Sequence, residues 1–105
     1  MVNHVGSMKE WGTLMETSKE KLVVVDFTAT WCGPCKQIAP FFAKMAEEYP
    51  DAEFVKVDVD YADDVAEACG IQRMPTFQFF KDGNKVDELR GAHPKKLKAL
   101  VTKHK

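Results

Sequence analysis

The sequence predicts an α/β fold, with a central mixed five-stranded sheet flanked by four helices in the order β-α-β-α-β-α-β-β-α, over one domain spanning residues 1–105. Three observations carry that expectation. The run "KLVVVDFT" (21–28) is β-branched and almost continuously apolar, as central parallel strands are. Apolar residues at helical spacing alternate with the strand-like runs along the chain. Near the C-terminal end, two strand-like runs meet at Asp82–Gly83, a strong two-residue hairpin signal. At 105 residues, 45% hydrophobic and 30% charged, the chain has the size of one ordinary domain that can bury a core and stay soluble.

Each element follows from local chemistry. A short strand is expected at 2–5. Ser7 and Glu10 form an S-x-x-E capping box ahead of Trp11, Leu14 and Met15, which predicts a helix over 8–18. After the 21–28 strand, Ile38, Phe41, Phe42, Met45 and Tyr49 mark one side of a helix over 34–49. Pro34 suits its first turn, where a missing N–H is harmless, and Pro40 lies inside, where it should kink the helix. "EFVKVDVD" (53–60) alternates, with Val55, Val57 and Val59 on one face. A helix over 61–69 ends before Gly70, a natural residue just past a helix terminus. The hairpin comes next, and the last helix begins at Pro94, with Leu97, Leu100, Val101 and His104 on one stripe.

Charge and cysteine usage narrow the function. Fifteen basic and sixteen acidic residues leave a net charge of -1, which disfavours nucleic acid and anionic membranes as partners. No apolar run approaches the roughly 18 residues that span a bilayer. The start "MVNHVGSMKEW" carries neither an apolar signal core nor an Arg-rich transit pattern. Three cysteines, an odd number, do not make the disulfide framework of a small secreted domain, and the expectation is a reducing compartment.

Cys32 and Cys35, in "TWCGPCK", admit three readings. A structural zinc site needs four ligands, and Cys69, His4, His93 and His104 are scattered. A structural disulfide closing so short a loop constrains the unfolded chain little. A reactive dithiol fits best. Cys32 leaves the carboxyl end of a central strand and enters a helix N-terminus, whose free N–H groups and dipole favour a thiolate. Cys35 lies one turn deeper. The pair is therefore asymmetric, with an outer nucleophile and an inner resolving thiol.

"DFTATWCGPCK", then "MPTFQFFKDG", then "RGA", at these separations and in this element order, resemble the thioredoxin family over about Val2 to Lys103. "ATWCGPCK" and "MPTFQFFK" are closer to its cytosolic eukaryotic branch, and Thr28 stands where many bacterial members carry tryptophan. The resemblance implies the thioredoxin fold and a protein-disulfide reductase. In that role Cys32 attacks a client disulfide and Cys35 resolves the mixed disulfide, leaving a redox-active Cys32–Cys35 bridge. It implies Asp26 as proton handler for Cys35 and Lys56 as the lysine beside that aspartate. The residues agree on one point: Asp26 shares a strand face with Leu22 and Val24, so burial should raise its pKa while Lys56 partly offsets that. The competing reading of Asp26 is a solvated residue at a strand end.

From "RMPTF" alone, a trans proline opening an edge strand is the ordinary reading of Pro75. The resemblance implies instead a cis bond facing the cysteines, which exposes the Met74 backbone to an extended client segment and discourages metal binding. It also implies a flat docking rim of Trp31, Gly33, Pro34, Met74, Pro75, Gly91 and Ala92, whereas Trp31 taken alone could equally be a core aromatic. Cys69 stays open between a buried inert residue and a regulatory thiol. His93 is expected as the helix cap before Pro94.

No cofactor is expected on the chain itself, with NADPH used indirectly through a flavin thioredoxin reductase. The implied clients are disulfide proteins such as peroxiredoxin-like or ribonucleotide-reductase-like enzymes. A monomer that can dimerise, in cytoplasm and also nucleus, completes the expectation. Gly33–Pro34 places no histidine between the cysteines, which favours a reductant over an oxidant. A docking or chaperone-like subunit and a small zinc module are the competing classes.

Overall fold

The computed structural model describes residues 2–105. Its elements are β1 (Val2–His4), α1 (Met8–Thr17), β2 (Val23–Thr28), α2 (Gly33–Glu48), β3 (Glu53–Asp58), α3 (Asp63–Ala68), β4 (Thr76–Lys81), β5 (Asn84–Arg90) and α4 (Pro94–His104). The sheet order is β1-β3-β2-β4-β5, with β1, β3 and β2 parallel and β4 and β5 antiparallel to their neighbours. The expected order and mixed sheet are those observed.

Packing explains the sequence pattern. β2 lies at the centre, and its residues alternate between two cores. Val23, Val25 and Phe27 join Trp11, Leu14, Val55, Val57 and Val65 on one face. Leu22 and Val24 join Ile38, Phe42, Met45, Phe77, Phe79 and Leu97 on the other. A strand covered on both faces is apolar at nearly every position, which is why its run is almost continuous, with Asp26 the exception.

The ends of elements differ from the expectation by a residue or two, for visible reasons. Ser7 Oγ accepts from Glu10 N (3.2 Å), while Glu10 Oε1 takes the Gly6 N–H (2.9 Å), so the capping carboxylate reaches one residue further back than the usual box. After β3, Asp58 Oδ1 accepts from Asp60 N (2.9 Å) and Tyr61 N (3.3 Å). That turn occupies both residues and delays α3 to Asp63. α3 closes with Ile71 N donating to Ala66 O and Gly70 N to Glu67 O, both 3.0 Å, with Gly70 at φ +69. Pro40 lies inside α2, which continues to Glu48.

The hairpin turns at Asp82 (φ 53) and Gly83 (φ 76), the conformation that matches the strands' own twist. Its tip is fastened to the end of α1: Asp82 N donates to Ser18 O and Gly83 N to Ser18 Oγ, both 2.8 Å. The β4–β5 register shifts between Phe79 and Phe80, which pair with Asp87 and Lys85 and leave Val86 as the extra residue. His104, expected on the apolar stripe of α4, has its ring 6.1 Å from Phe79 and its Nε2 2.9 Å from Asp87 Oδ2. It therefore closes the stripe with a hydrogen-bond partner rather than with apolar contact alone. Asp87 is held below the usual carboxylate range, chiefly by that hydrogen bond.

Candidate active site

Where β2 gives way to α2, the chain passes through Ala29, Thr30 and Trp31 to Cys32, the cap residue of α2 (φ -89, ψ 111). Cys32 Sγ accepts the Cys35 N–H at 3.2 Å. A sulfur placed there meets the unpaired N–H groups and positive end of a helix, an arrangement that favours the thiolate. The two sulfurs are at disulfide-bonding distance, and the Cα atoms lie 5.3 Å apart, inside the ordinary range for a bridge. Cys35 is the deeper of the two, 2% exposed against 6% for Cys32. Ala29, Val59 and Met74 pack around both.

The rim has both apolar and polar parts. Trp31 is 65% exposed, so it is not the core aromatic its residue type also allowed. Its Nε1 donates to Asp60 Oδ2 at 2.8 Å, which fixes the ring beside Cys32. Sequence reasoning did not single out Asp60, and its only signal was a second aspartate two residues after Asp58. Gly33 and Pro34 are exposed, Met74 is half-buried, and Pro75 is buried. The Met74–Pro75 peptide is cis. Gly91 N donates to Pro75 O at 2.9 Å, bringing Gly91 and Ala92 against that proline.

Gly91 has φ +99, and a Cβ there would meet His93 Nε2 at 2.9 Å, so glycine is required both by the backbone and by the imidazole over it. His93 does take the cap position of α4, but among the described residues its side chain makes no capping bond. The ring lies over Gly91 instead. That corrects the expected role.

Beneath the cysteines, Asp26 is wholly buried, and among the described residues neither carboxylate oxygen has a hydrogen-bond partner. It is paired in register with Lys56 of β3 and Phe77 of β4. Asp26 follows Leu22 and Val24 on the face that packs against α2, two residues nearer the end where α2 begins. Burial pushes its pKa up to about 7, and the charge of Lys56 lowers it. The apolar setting decides the sign, and the solvated reading of Asp26 does not hold. A carboxyl that titrates near neutrality can give and take a proton there.

A cleft of about 420 Å³ runs along the other side of this region, lined by His4, Thr28, Ala29, Thr30, Cys35, Lys36, Ala39, Lys56 and Asp58. Cys69 lies apart from the pair, at the end of α3, half-buried against the core that holds Trp11. Burial pushes its thiol up to about 11, opposed by Lys85, so it is protonated at neutral pH and weakly nucleophilic. Among the described residues, no three His, Cys, Asp or Glu side chains gather in a way that would hold a metal ion.

This geometry has close counterparts. A family model described as Thioredoxin matches residues 4–103. The chain is 52% identical to thioredoxin of Equus caballus over 96% of each chain, and 50% identical to thioredoxin of Ophiophagus hannah over 99% of each. The solved structure of Fasciola hepatica thioredoxin superposes with a TM-score of 0.95 at 43% identity, covering 98% of this chain and 99% of that one.

Proposed function

The chain belongs to the thioredoxin family, and from that premise we propose how its residues divide the reaction. Its chemistry is that of a thiol–disulfide oxidoreductase, which reduces protein disulfides by exchange through the Cys32–Cys35 pair. Cys32, activated at the start of α2, attacks one sulfur of a client disulfide. The other client sulfur leaves as a thiolate, and a mixed disulfide joins Cys32 to the client. Cys35 gives its proton to Asp26 and attacks Cys32. The Cys32–client bond breaks, the second client thiolate departs, and the two electrons have moved from this chain to the client. Lys56 holds Asp26 near neutrality rather than higher.

Clients dock on Trp31, Gly33, Pro34, Met74, Pro75, Gly91 and Ala92, with the Met74 backbone pairing to an extended segment. A flavin thioredoxin reductase restores the dithiol with electrons from NADPH. Peroxiredoxin-like and ribonucleotide-reductase-like enzymes are the client classes, in the cytoplasm and nucleus. The chain works as a monomer that can dimerise.

One observation carries this reading: an asymmetric cysteine pair at a helix start, facing a cis Met74–Pro75 peptide across Met74 itself. The test is insulin reduction coupled to NADPH consumption by a thioredoxin reductase. Wild type should turn over and Cys32→Ser should lose activity to background. Equal rates for the two would overturn the assignment.

A further inference from the structure

We propose that Arg73 and Arg90 form a subsite for an acidic side chain at the edge of the docking rim, so that preferred clients carry Asp or Glu beside the target cysteine. The inference rests on the reading above, in which an extended client segment pairs with the Met74 backbone. Arg73 immediately precedes Met74, and Arg90 immediately precedes Gly91, so each adjoins a residue of the rim. Both are exposed.

Thr76 brings the two arginines together. It pairs in register with Arg90 across β4 and β5, and its Oγ1 donates to Arg73 O at 2.7 Å. Arg73, Thr76, Glu88 and Arg90 accordingly line one small cavity of about 50 Å³, just past the end of α3. Against the ~30 Å³ share of one water, that space suits a group the size of a carboxylate. Charge there is unbalanced. Glu88 is the one carboxylate on the wall, and it is already shared. It accepts from Gln78 Nε2 at 2.9 Å, from Lys85 Nζ at 3.1 Å and from Arg90 Nε at 3.0 Å. Among the described residues, the two terminal nitrogens of Arg90 have no partner, and Arg73 pairs with no carboxylate. Planar guanidinium forks with free donors are suited to receive a carboxylate.

The opposite end of the rim has the other sign. Trp31 is held by Asp60, and the first turn of α3 that follows carries Asp63 and Asp64. A client segment lying from Trp31 to Pro75 therefore meets acid at one end and base at the other. The net charge of -1 conceals this asymmetry. Met74 packs against Cys32, and Arg73 is the next residue back along the chain. An extended client advances ~3.3 Å per residue, so a carboxylate about two or three residues from the attacked cysteine comes within reach of the long arginine side chains.

Three peptides test the subsite, each a symmetrical disulfide of one single-cysteine sequence. They differ in carrying Glu, Gln or Lys at the second and third residues on either side of the cysteine. Reduced protein is mixed with an excess of each and quenched with acid, and loss of its dithiol form is followed by mass spectrometry. Wild type should react with the Glu peptide about fivefold faster than with the Gln peptide, the scale of a single exposed charge pair. The Lys peptide should be slowest, and added salt should shrink the preference. Arg73→Gln leaves the Arg90–Glu88 bond in place and should lower the Glu-to-Gln ratio to about twofold. With Arg90→Gln added, the ratio should fall to one or below. Because each ratio is taken on one protein, any change in the attack itself cancels. Equal rates of the three peptides on wild type, or a ratio that survives in the double variant, would remove the subsite. Failure of the exchange reading looks different: Cys32→Ser would then reduce the peptides as fast as wild type, and the subsite would fall with it.

Discussion

Asp26 shows how far one residue can depart from its strand and why. It follows the apolar Leu22 and Val24 along its strand face, with Lys56 as its in-register neighbour on β3, and its two oxygens go unpaired among the described residues. Folding therefore favours its protonated form. Its folded pKa of about 7 lies above the ordinary 3.8, so the folded state holds the proton more tightly than the unfolded chain does. Stability from this group is full below about pH 4, declines as pH rises through 7, and is then absent. Linkage bounds the loss at about 4 kcal/mol, at roughly 1.4 kcal/mol per pH unit. Asp26→Asn should accordingly stabilise the protein by about 2–4 kcal/mol at pH 8 and change it little at pH 4, as measured by urea unfolding at both values. A gain of equal size at both would contradict the burial account. The sequence already showed this conflict, because a carboxylate inside "LVVVDF" has no neighbour able to solvate it. Asp60 and His93 were not legible in the same way. Their partners, Trp31 and Gly91, are joined to them by loop geometry that no periodicity encodes.

At the level of elements, long regular segments were legible and their junctions were not. β2 and α2 announce themselves through apolar patterns that tertiary packing then enforces. The connection between α1 and the hairpin depends on Ser18, a polar residue only 2% exposed. Its Oγ donates to Met15 O at 2.6 Å and accepts from Gly83 N at 2.8 Å, so one hydroxyl closes a helix and holds a turn 65 residues away. A serine after a helix looks like any solvated terminus in the sequence. Ser18→Ala should strand the Gly83 N–H and destabilise the fold by about 1–3 kcal/mol, the usual penalty for an unmade buried hydrogen bond. Chemical unfolding of the variant checks this, and an unchanged midpoint would show that solvent replaces the hydroxyl.

The molecule as a whole is one sheet with a core on each face, and β2 contributes to both. Trp11 reports on one core through Phe27 (6.1 Å) and Phe80 (5.4 Å), whereas Phe42 fills the other against Phe54 (5.4 Å) and Phe77 (5.8 Å). Because the two share a central strand, neither should unfold alone. In a Trp31→Phe variant, Trp11 fluorescence and far-ultraviolet dichroism should therefore trace one coincident urea transition. Two separated midpoints would mean that the cores are independent. The borders of that same sheet have a consequence for crowded solutions. Among the described residues β1 offers three residues of open ladder, and β5 interrupts its own at Val86 while presenting Lys85, Asp87, Glu88 and Arg90. A short margin on one side and a bulged, charged one on the other give a neighbouring chain no flat template to extend. Strand-on-strand aggregation is thereby resisted by the outline of the sheet, without help from net repulsion, which a charge of -1 could not provide.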